Sequence, residues 1–374
     1  MEKKALNLLH RMVEIYSPSG HESEVASLVK NTMDDLGYST SLDSVGNVIG
    51  KIGTGQPKIL LCGHLDTVSP SLPTYIKDGV LYGRGSVDAK SPLATMIISG
   101  KLAHEKGYQG TILVVGAVSE EGDNRGVKSL IDSNIKADYA IFGEPTDTHA
   151  ISIGYKGCIV IQLILTNPSG HSSAPWAYPN AIEKSIEFYN YLKKAARKLG
   201  DAPTGFNSLT VSVREIKGGE NIGVLPRECE LVIEFRLPPN MKLKQVEDWL
   251  DEKRKTYMAE NKEEHIEYNI IDEIDPFITD KKSILIKAFS QTIYKKRGPP
   301  ILLLKKTGTS DMNYYGKAFG VPTITYGPGD SHLSHTEKEK ILLSDYLSSI
   351  EILTDSILCV QDFHNKKYRS RKLI

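Results

Sequence analysis

Ile59-Leu-Leu-Cys-Gly-His-Leu-Asp-Thr67 sets the frame for the whole chain. An apolar run, Ile59 to Cys62, ends at Gly63, and His64 and Asp66 follow at once. A short apolar run closed by a turn residue reads as a strand buried on both faces. The pattern repeats along the chain. Ile112 to Val118 is a second such run, followed by Ser119-Glu-Glu-Gly122, and Ala140 to Phe142 a third, followed by Gly143-Glu-Pro145. Val321 to Tyr326 is a fourth, followed by Gly-Pro-Gly-Asp330 and then Ser334-His-Thr336. Between the runs lie helix patterns, Leu6 to Tyr16 and Glu22 to Leu36. A third helix is expected with Ser91 as its cap, Pro92 as its first residue and its end near Glu105. Strands alternating with helices imply an α/β domain with a largely parallel sheet. In such sheets the ligand crevice lies outside the carboxyl ends of the strands. Two histidines and several carboxylates, including Asp88 in Tyr82-Gly-Arg-Gly-Ser-Val-Asp-Ala-Lys90, therefore point toward one crevice. Nitrogen and oxygen donors of that kind suit borderline divalent ions such as zinc.

The pattern changes in the middle of the chain. Cys158 to Leu165, Leu209 to Ile216, Cys229 to Leu237 and Glu264 to Ile271 read as strands, and Glu228-Cys-Glu-Leu-Val-Ile-Glu-Phe-Arg236 alternates polar and apolar residues. Helix patterns cover Ala181 to Leu199 and Leu243 to Glu260. The order βαββαβ is ferredoxin-like. Two domains follow, one made of residues 1–155 and 269–374 and an inserted one of residues 156–268. The basic segment Asn365 to Ile374 is expected to fray.

Bulk properties narrow the function. The chain has 374 residues, and 46 basic residues balance 46 acidic ones, so nothing in the charge favours nucleic acid as a partner. No apolar stretch has the length of a membrane span. Cys62, Cys158, Cys229 and Cys359 are far apart and form no Cys-x-x-Cys, which speaks for buried free thiols in a reducing cytoplasm and against a cysteine metal site.

Five segments resemble the dizinc M20 metallopeptidase and deacylase family. They are Gly63-His-Leu-Asp-Thr-Val68, Gly83-Arg-Gly-Ser-Val-Asp88, Ser119-Glu-Glu-Gly122, Gly143-Glu-Pro145 and Gly170-His-Ser-Ser-Ala-Pro175. The resemblance implies two zinc ions per subunit, with cobalt as the alternative. His64, Asp88 and Glu144 would hold one ion, and Asp88, Glu121 and His335 the other, with Asp88 bridging. Asp66 would orient His64. Glu120 would take a proton from the attacking water and return it to the departing amine. His171 would donate to the oxyanion. The peptide after Asp88 would be cis. The family implies an inserted lid domain that also forms a homodimer.

Within the family, Ser86-Val-Asp-Ala-Lys-Ser-Pro-Leu93, Lys306-Thr-Gly-Thr-Ser-Asp-Met-Asn313 and Gly327-Pro-Gly-Asp330 look like the amino-group-carrier-protein lysine/ornithine hydrolases. That branch releases lysine or ornithine from the C-terminal glutamate of a small acidic carrier protein. Arg236 would grip a substrate carboxylate, and Thr307, Gly308, Thr309 and Asp311 would line the amino-acid pocket. The family's asparagine position is occupied by Gly223, so either Asn221 substitutes from two residues away or the contact is lost. Lys193, Lys194, Arg197 and Lys198 could steer an acidic carrier. Deacylation of free acyl-amino acids, cleavage of dipeptides, and a metal-lost binding protein are the alternative readings.

Overall fold

The computed structural model describes residues 1–199, 204–219 and 222–371, without the side chains of 368–371. It divides into two compact units. The first comprises Met1–Ile153, Thr279–Leu304 and Ser310–Ile374, and the second Gly154–Ile278 and Lys305–Thr309. The main segment of the second unit thus ends at Ile278 and not at 268, because its last long strand runs on to Ile274.

Strands of the larger sheet lie in the order Ser39–Leu42, Val48–Ile52, Thr111–Ala117, Lys58–His64, Tyr139–Gly143, Thr323–Thr325 and Ala150–Tyr155, the last of which runs past the end of the first unit's segment at Ile153. The four from Thr111–Ala117 to Thr323–Thr325 are mutually parallel, and the flanking ones are antiparallel. Every residue of Thr111–Ala117 and of Tyr139–Gly143 is buried, as the continuous apolar runs require. The helices Glu2–Glu14, Ser23–Asp35, Lys90–Glu105, Ile284–Arg297 and Leu343–Arg371 supply apolar faces to the same core.

Two details differ from the sequence reading. The third helix starts at Lys90 with Ala89 as its cap, so Ser91 lies inside the first turn. Its first amide needs no side-chain cap, because Lys90 N–H donates to the Gly85 carbonyl at 3.0 Å. Pro92 then stands at the third position, where a missing N–H costs nothing. The closing helix does not fray after 364 but continues to Arg371. His364 is buried and bonds the Tyr139 hydroxyl through Nδ1 at 3.1 Å, which pins the helix to the sheet. Residues 372–374 lie outside the described residues.

In the second unit the strands Gly157–Thr166, Thr210–Gly218, Glu228–Leu237 and His265–Ile274 form an antiparallel sheet. Its spatial order is second, third, first, fourth, the ferredoxin-like order read from either edge. Ala181–Ala196 and Leu243–Glu260 cover one face around Phe188, Phe235 and Leu250. Cys62, Cys158, Cys229 and Cys359 are all free, and the first three are buried. No helix among the described residues is long and apolar enough to cross a membrane.

Candidate metal centre

The carboxyl ends of the parallel strands carry the site. Lys58–His64 ends in His64, Tyr139–Gly143 delivers Glu144, and Thr111–Ala117 leads into Ser119, Glu120 and Glu121. Two glycines let the helix at Lys90 approach these strand ends. A Cβ on Gly63 would come within 3.0 Å of Leu93 Cβ, and one on Gly143 within 3.1 Å of Pro92 Cβ. Asp88 sits just before that helix, and the Asp88–Ala89 peptide is cis.

Asp88 is the centre of the arrangement. Its Oδ1 lies 3.3 Å from His64 Nε2, and its Oδ2 lies 3.4 Å from His335 Nε2. His335 Nε2 is also 2.7 Å from Glu121 Oε1. Donor atoms of His64, Asp88 and Glu144 fall within 4.8 Å of one another, and so do those of Asp88, Glu121 and His335. The two sets share Asp88 alone. His64, Glu120 and Glu121 make a third such group, which leaves Glu120 beside the ligand sets.

The charges test whether a pair of cations fits. Asp88, Glu120, Glu121 and Glu144 gather around two histidines, so acidic groups outnumber basic ones in this cluster. Buried like charges are costly without compensation. Divalent cations held by carboxylates and imidazole supply that compensation, and the donor types are those zinc takes. The residues present fit the group.

Protonation follows from the same crowding. Burial, with Glu144 next, raises the Glu120 carboxyl well above its usual range, although His64 pulls the other way. Burial also works against charge on Asp88, but bonding to His335 and His64 outweighs it and holds the carboxyl low. Burial lowers His64, yet Asp66 and Asp88 outweigh burial and raise it. Hydrogen bonding to Asp88 and Glu121 takes His335 up to about 10. Burial takes Asp311 up to about 7. A divalent cation competes with protons for the same lone pairs.

Asp66 is fully buried and does two jobs. Its backbone carbonyl accepts from His64 Nδ1 at 2.8 Å, while the carboxylate stands farther off at 3.4 Å. That carboxylate accepts from the amides of Glu120 at 3.1 Å and Glu121 at 3.0 Å, and from Ser19 Oγ at 2.6 Å. Asp66 therefore orients the ring through its backbone and the Glu120–Glu121 turn through its side chain. Asn124, in the left-handed region at φ 55°, donates to the Glu120 carbonyl at 3.0 Å and to Asp311 Oδ1 at 3.1 Å. Ser310 Oγ donates to Glu144 Oε1 at 3.1 Å.

The remaining expected residues fall in different places. Asp311 is buried in the first unit, whereas Thr307, Gly308 and Thr309 belong to the second. In that second unit Arg236 Nη1 donates to Thr309 Oγ1 at 3.2 Å. Arg236 also holds its neighbour Glu234 at 2.7 and 2.9 Å, because residues two apart on a strand share a face. His171 is exposed in the second unit, and its Nδ1 accepts from Ser173 Oγ at 2.8 Å. Lys193, Lys194 and Lys198 lie on or just beyond the helix Ala181–Ala196, and Lys193 sits 5.4 Å over the Tyr189 ring. Asn221 lies outside the described residues. Two residues with a bearing on the site escaped the sequence reading: Glu339, whose carboxylate bonds the Asp88 amide, and Arg84, its partner. Arg84 lies in a quoted motif, but the sequence gives no sign of what it touches.

A protein of Pyrococcus furiosus is 38% identical over 95% of this chain and 97% of its own, and is named, provisionally, for LysW-lysine and LysW-ornithine hydrolysis. The LysW-lysine/LysW-ornithine hydrolase of Saccharolobus solfataricus is 31% identical over 96% of this chain and 98% of its own. A dinuclear metal-binding peptidase of the M20 family from Bacillus subtilis shares the fold with a TM-score of 0.74, at 12% identity over 96% of this chain and 98% of that one. The model of peptidase family M20/M25/M40 matches residues 60–358. The chain belongs to that family.

Proposed function

We propose that the chain is a two-metal amide hydrolase that releases lysine or ornithine from the C-terminal glutamate side chain of a small acidic carrier protein. The observation that carries the reaction class is Asp88, whose two oxygens face two different histidines. The substrate class is supported by relatives that span nearly the whole chain and are named for it.

His64, Asp88 and Glu144 would hold one ion, and Asp88, Glu121 and His335 the other. Zinc suits the donors best, and cobalt can replace it. Two ions at these positions would supply a water of lowered pKa, toward ~7, and polarisation of a carbonyl. The chain's own groups do the rest. Glu120 takes the proton of the attacking water and passes it to the nitrogen of the departing amine. Its raised affinity for a proton suits that two-way role. Asp66 holds the turn that aims Glu120. His171 serves as the oxyanion donor, Arg236 with Thr309 as the receptor for the released amino acid's carboxylate, and Asp311 as the partner of its amine. Thr307, Gly308 and Asn221 are proposed as further substrate contacts. We place the enzyme in the cytoplasm as a homodimer formed through the second unit, with the first unit catalytic.

The test is amine release, with and without chelator, from carrier-linked lysine and ornithine beside N-acetyl-lysine and N-acetyl-ornithine. Chelator-sensitive turnover confined to the carrier-linked substrates is expected. Equal turnover of the free acyl-amino acids would remove the carrier from the reaction and leave a small-molecule deacylase.

A further inference from the structure

Two ligand loops are tied together by one dry ion pair. Arg84 and Glu339 lie 255 residues apart in sequence, with side chains 4% and 0% exposed, and meet at 2.8 Å between Nη1 and Oε2. Each partner reaches a different ligand. Glu339 Oε1 accepts from the amides of Val87 at 2.9 Å and of Asp88 at 3.0 Å. Arg84 Nη1 also donates to the carbonyl of Thr336 at 3.0 Å, the residue after His335, and its Nε donates to the Pro70 carbonyl at 3.1 Å.

The tie matters because the two ligand sets are anchored unequally. His64 and Glu144 come straight off buried strands. His335 does not. It follows the short helical turn Ser331–Leu333, which has no buried residue, its own side chain is 52% exposed, and its backbone sits in the left-handed region at φ 63°. Core packing cannot fix such a residue. The Thr336 carbonyl held by Arg84 and the Glu339 carboxylate held by the Asp88 turn bracket it on its C-terminal side.

We infer that Arg84 and Glu339 form a positioning pair that sets the spacing between Asp88 and His335 and so governs affinity for the ion held by Asp88, Glu121 and His335. This rests on the two-ion reading above. The pair touches neither substrate nor the reacting atoms. It acts through the backbone of one ligand and the neighbour of another, as outer contacts of metal ligands do. The bidentate fork of arginine is required, since a lysine offers one charge point and cannot hold the Thr336 and Pro70 carbonyls together with Glu339.

Cobalt titration of the metal-free full-length protein, read by visible absorption, tests this without any appeal to turnover. Wild type should show two binding steps. Glu339→Gln should keep the first step and weaken the second about 10- to 100-fold, the range seen when outer partners of ligands are removed. Arg84→Lys should weaken the second step in the same direction. A structural explanation is separated by the double variant Arg84→Met with Glu339→Gln. It removes the charges as a pair, which generally spares stability, and keeps an acceptor for the Val87 and Asp88 amides. The inference expects this variant to unfold at close to the wild-type temperature when metal-free and still to bind the second ion weakly. A folded double variant, or a folded Arg84→Lys, that binds two ions with wild-type affinity would overturn it. Wild type that binds fewer than two ions would instead overturn the two-ion reading itself.

Discussion

Lys58–His64 and Glu228–Leu237 are both strands rich in apolar residues, yet they sit in their sheets differently. In the first, every residue after Lys58 is buried. In the second, buried and less buried positions alternate along its length. The difference separates a parallel sheet covered on both faces from an antiparallel one covered on a single face. It also separates the candidate metal ligands from the proposed substrate receptor. The covered strand ends abruptly in His64, and its rigid surroundings fix the chemistry there. The half-covered strand carries Arg236 on its wetter face, where the side chain already shares its charge with Glu234. His64 and Glu144 thus come off the buried sheet, and Arg236, the proposed carboxylate receptor, lies on the other.

That contrast can be broken in several ways. The largest effect should come at the end of the buried sheet. Glu120→Gln should lower kcat by about 10²- to 10⁴-fold, the usual contribution of a positioned acid or base. Metal analysis should still find the wild-type content, since Glu120 is not assigned to either ion. A Glu120→Gln enzyme with near-normal turnover would mean that the proton is carried elsewhere.

Next in size is packing. Leu60 and Leu61 project to opposite faces of their strand and are both fully buried. Leu60→Ala and Leu61→Ala should each cost about 2–5 kcal/mol in chemical denaturation. In Glu228–Leu237 only one face should behave so. Ile233→Ala should cost as much, while Glu228→Ala, at an exposed position, should change stability by no more than about 0.5 kcal/mol. A tolerant face on Lys58–His64 would contradict the two-sided burial.

A third effect is pH dependence. Asp88 and Glu121 take His335 up to about 10 in the folded protein, against roughly 6.5 when unfolded. The folded value is the higher one, so the stability from this pairing is complete below about pH 6.5 and is lost as pH rises through about 10. A cation has to displace that same proton. Apparent metal affinity should therefore rise with pH, by about tenfold per unit for each proton displaced, and calorimetry in buffers of differing ionisation heat should register proton release. Affinity that falls as pH rises would contradict the assignment of His335 as a ligand.

What could be read from the sequence follows the same division. That His64, Asp88, Glu121, Glu144 and His335 gather in one place was legible because each follows an apolar run or sits in a short motif, and strand ends converge by topology. The inserted fold was legible because Glu228–Leu237 alternates and its helices carry clear stripes. Glu339 was not legible. It lies in Glu337-Lys-Glu-Lys340, which reads as a solvated turn, and its partner Arg84 is 255 residues away. The start of the helix at Lys90 is misread because Ser91-Pro92 imitates a cap, while the Leu93 amide it would cap already donates to the Ala89 carbonyl. The division of Lys306 to Asn313 between two units had no local sign at all. Contacts made across long separations carry no short-range pattern, whichever region they serve.

The most direct test of the two-ion site is to strip the protein of metal and measure amide hydrolysis as zinc is added back in measured equivalents. The account predicts no turnover without metal and a rise that completes near two equivalents per chain. Full activity at one equivalent, or without any metal, would contradict it.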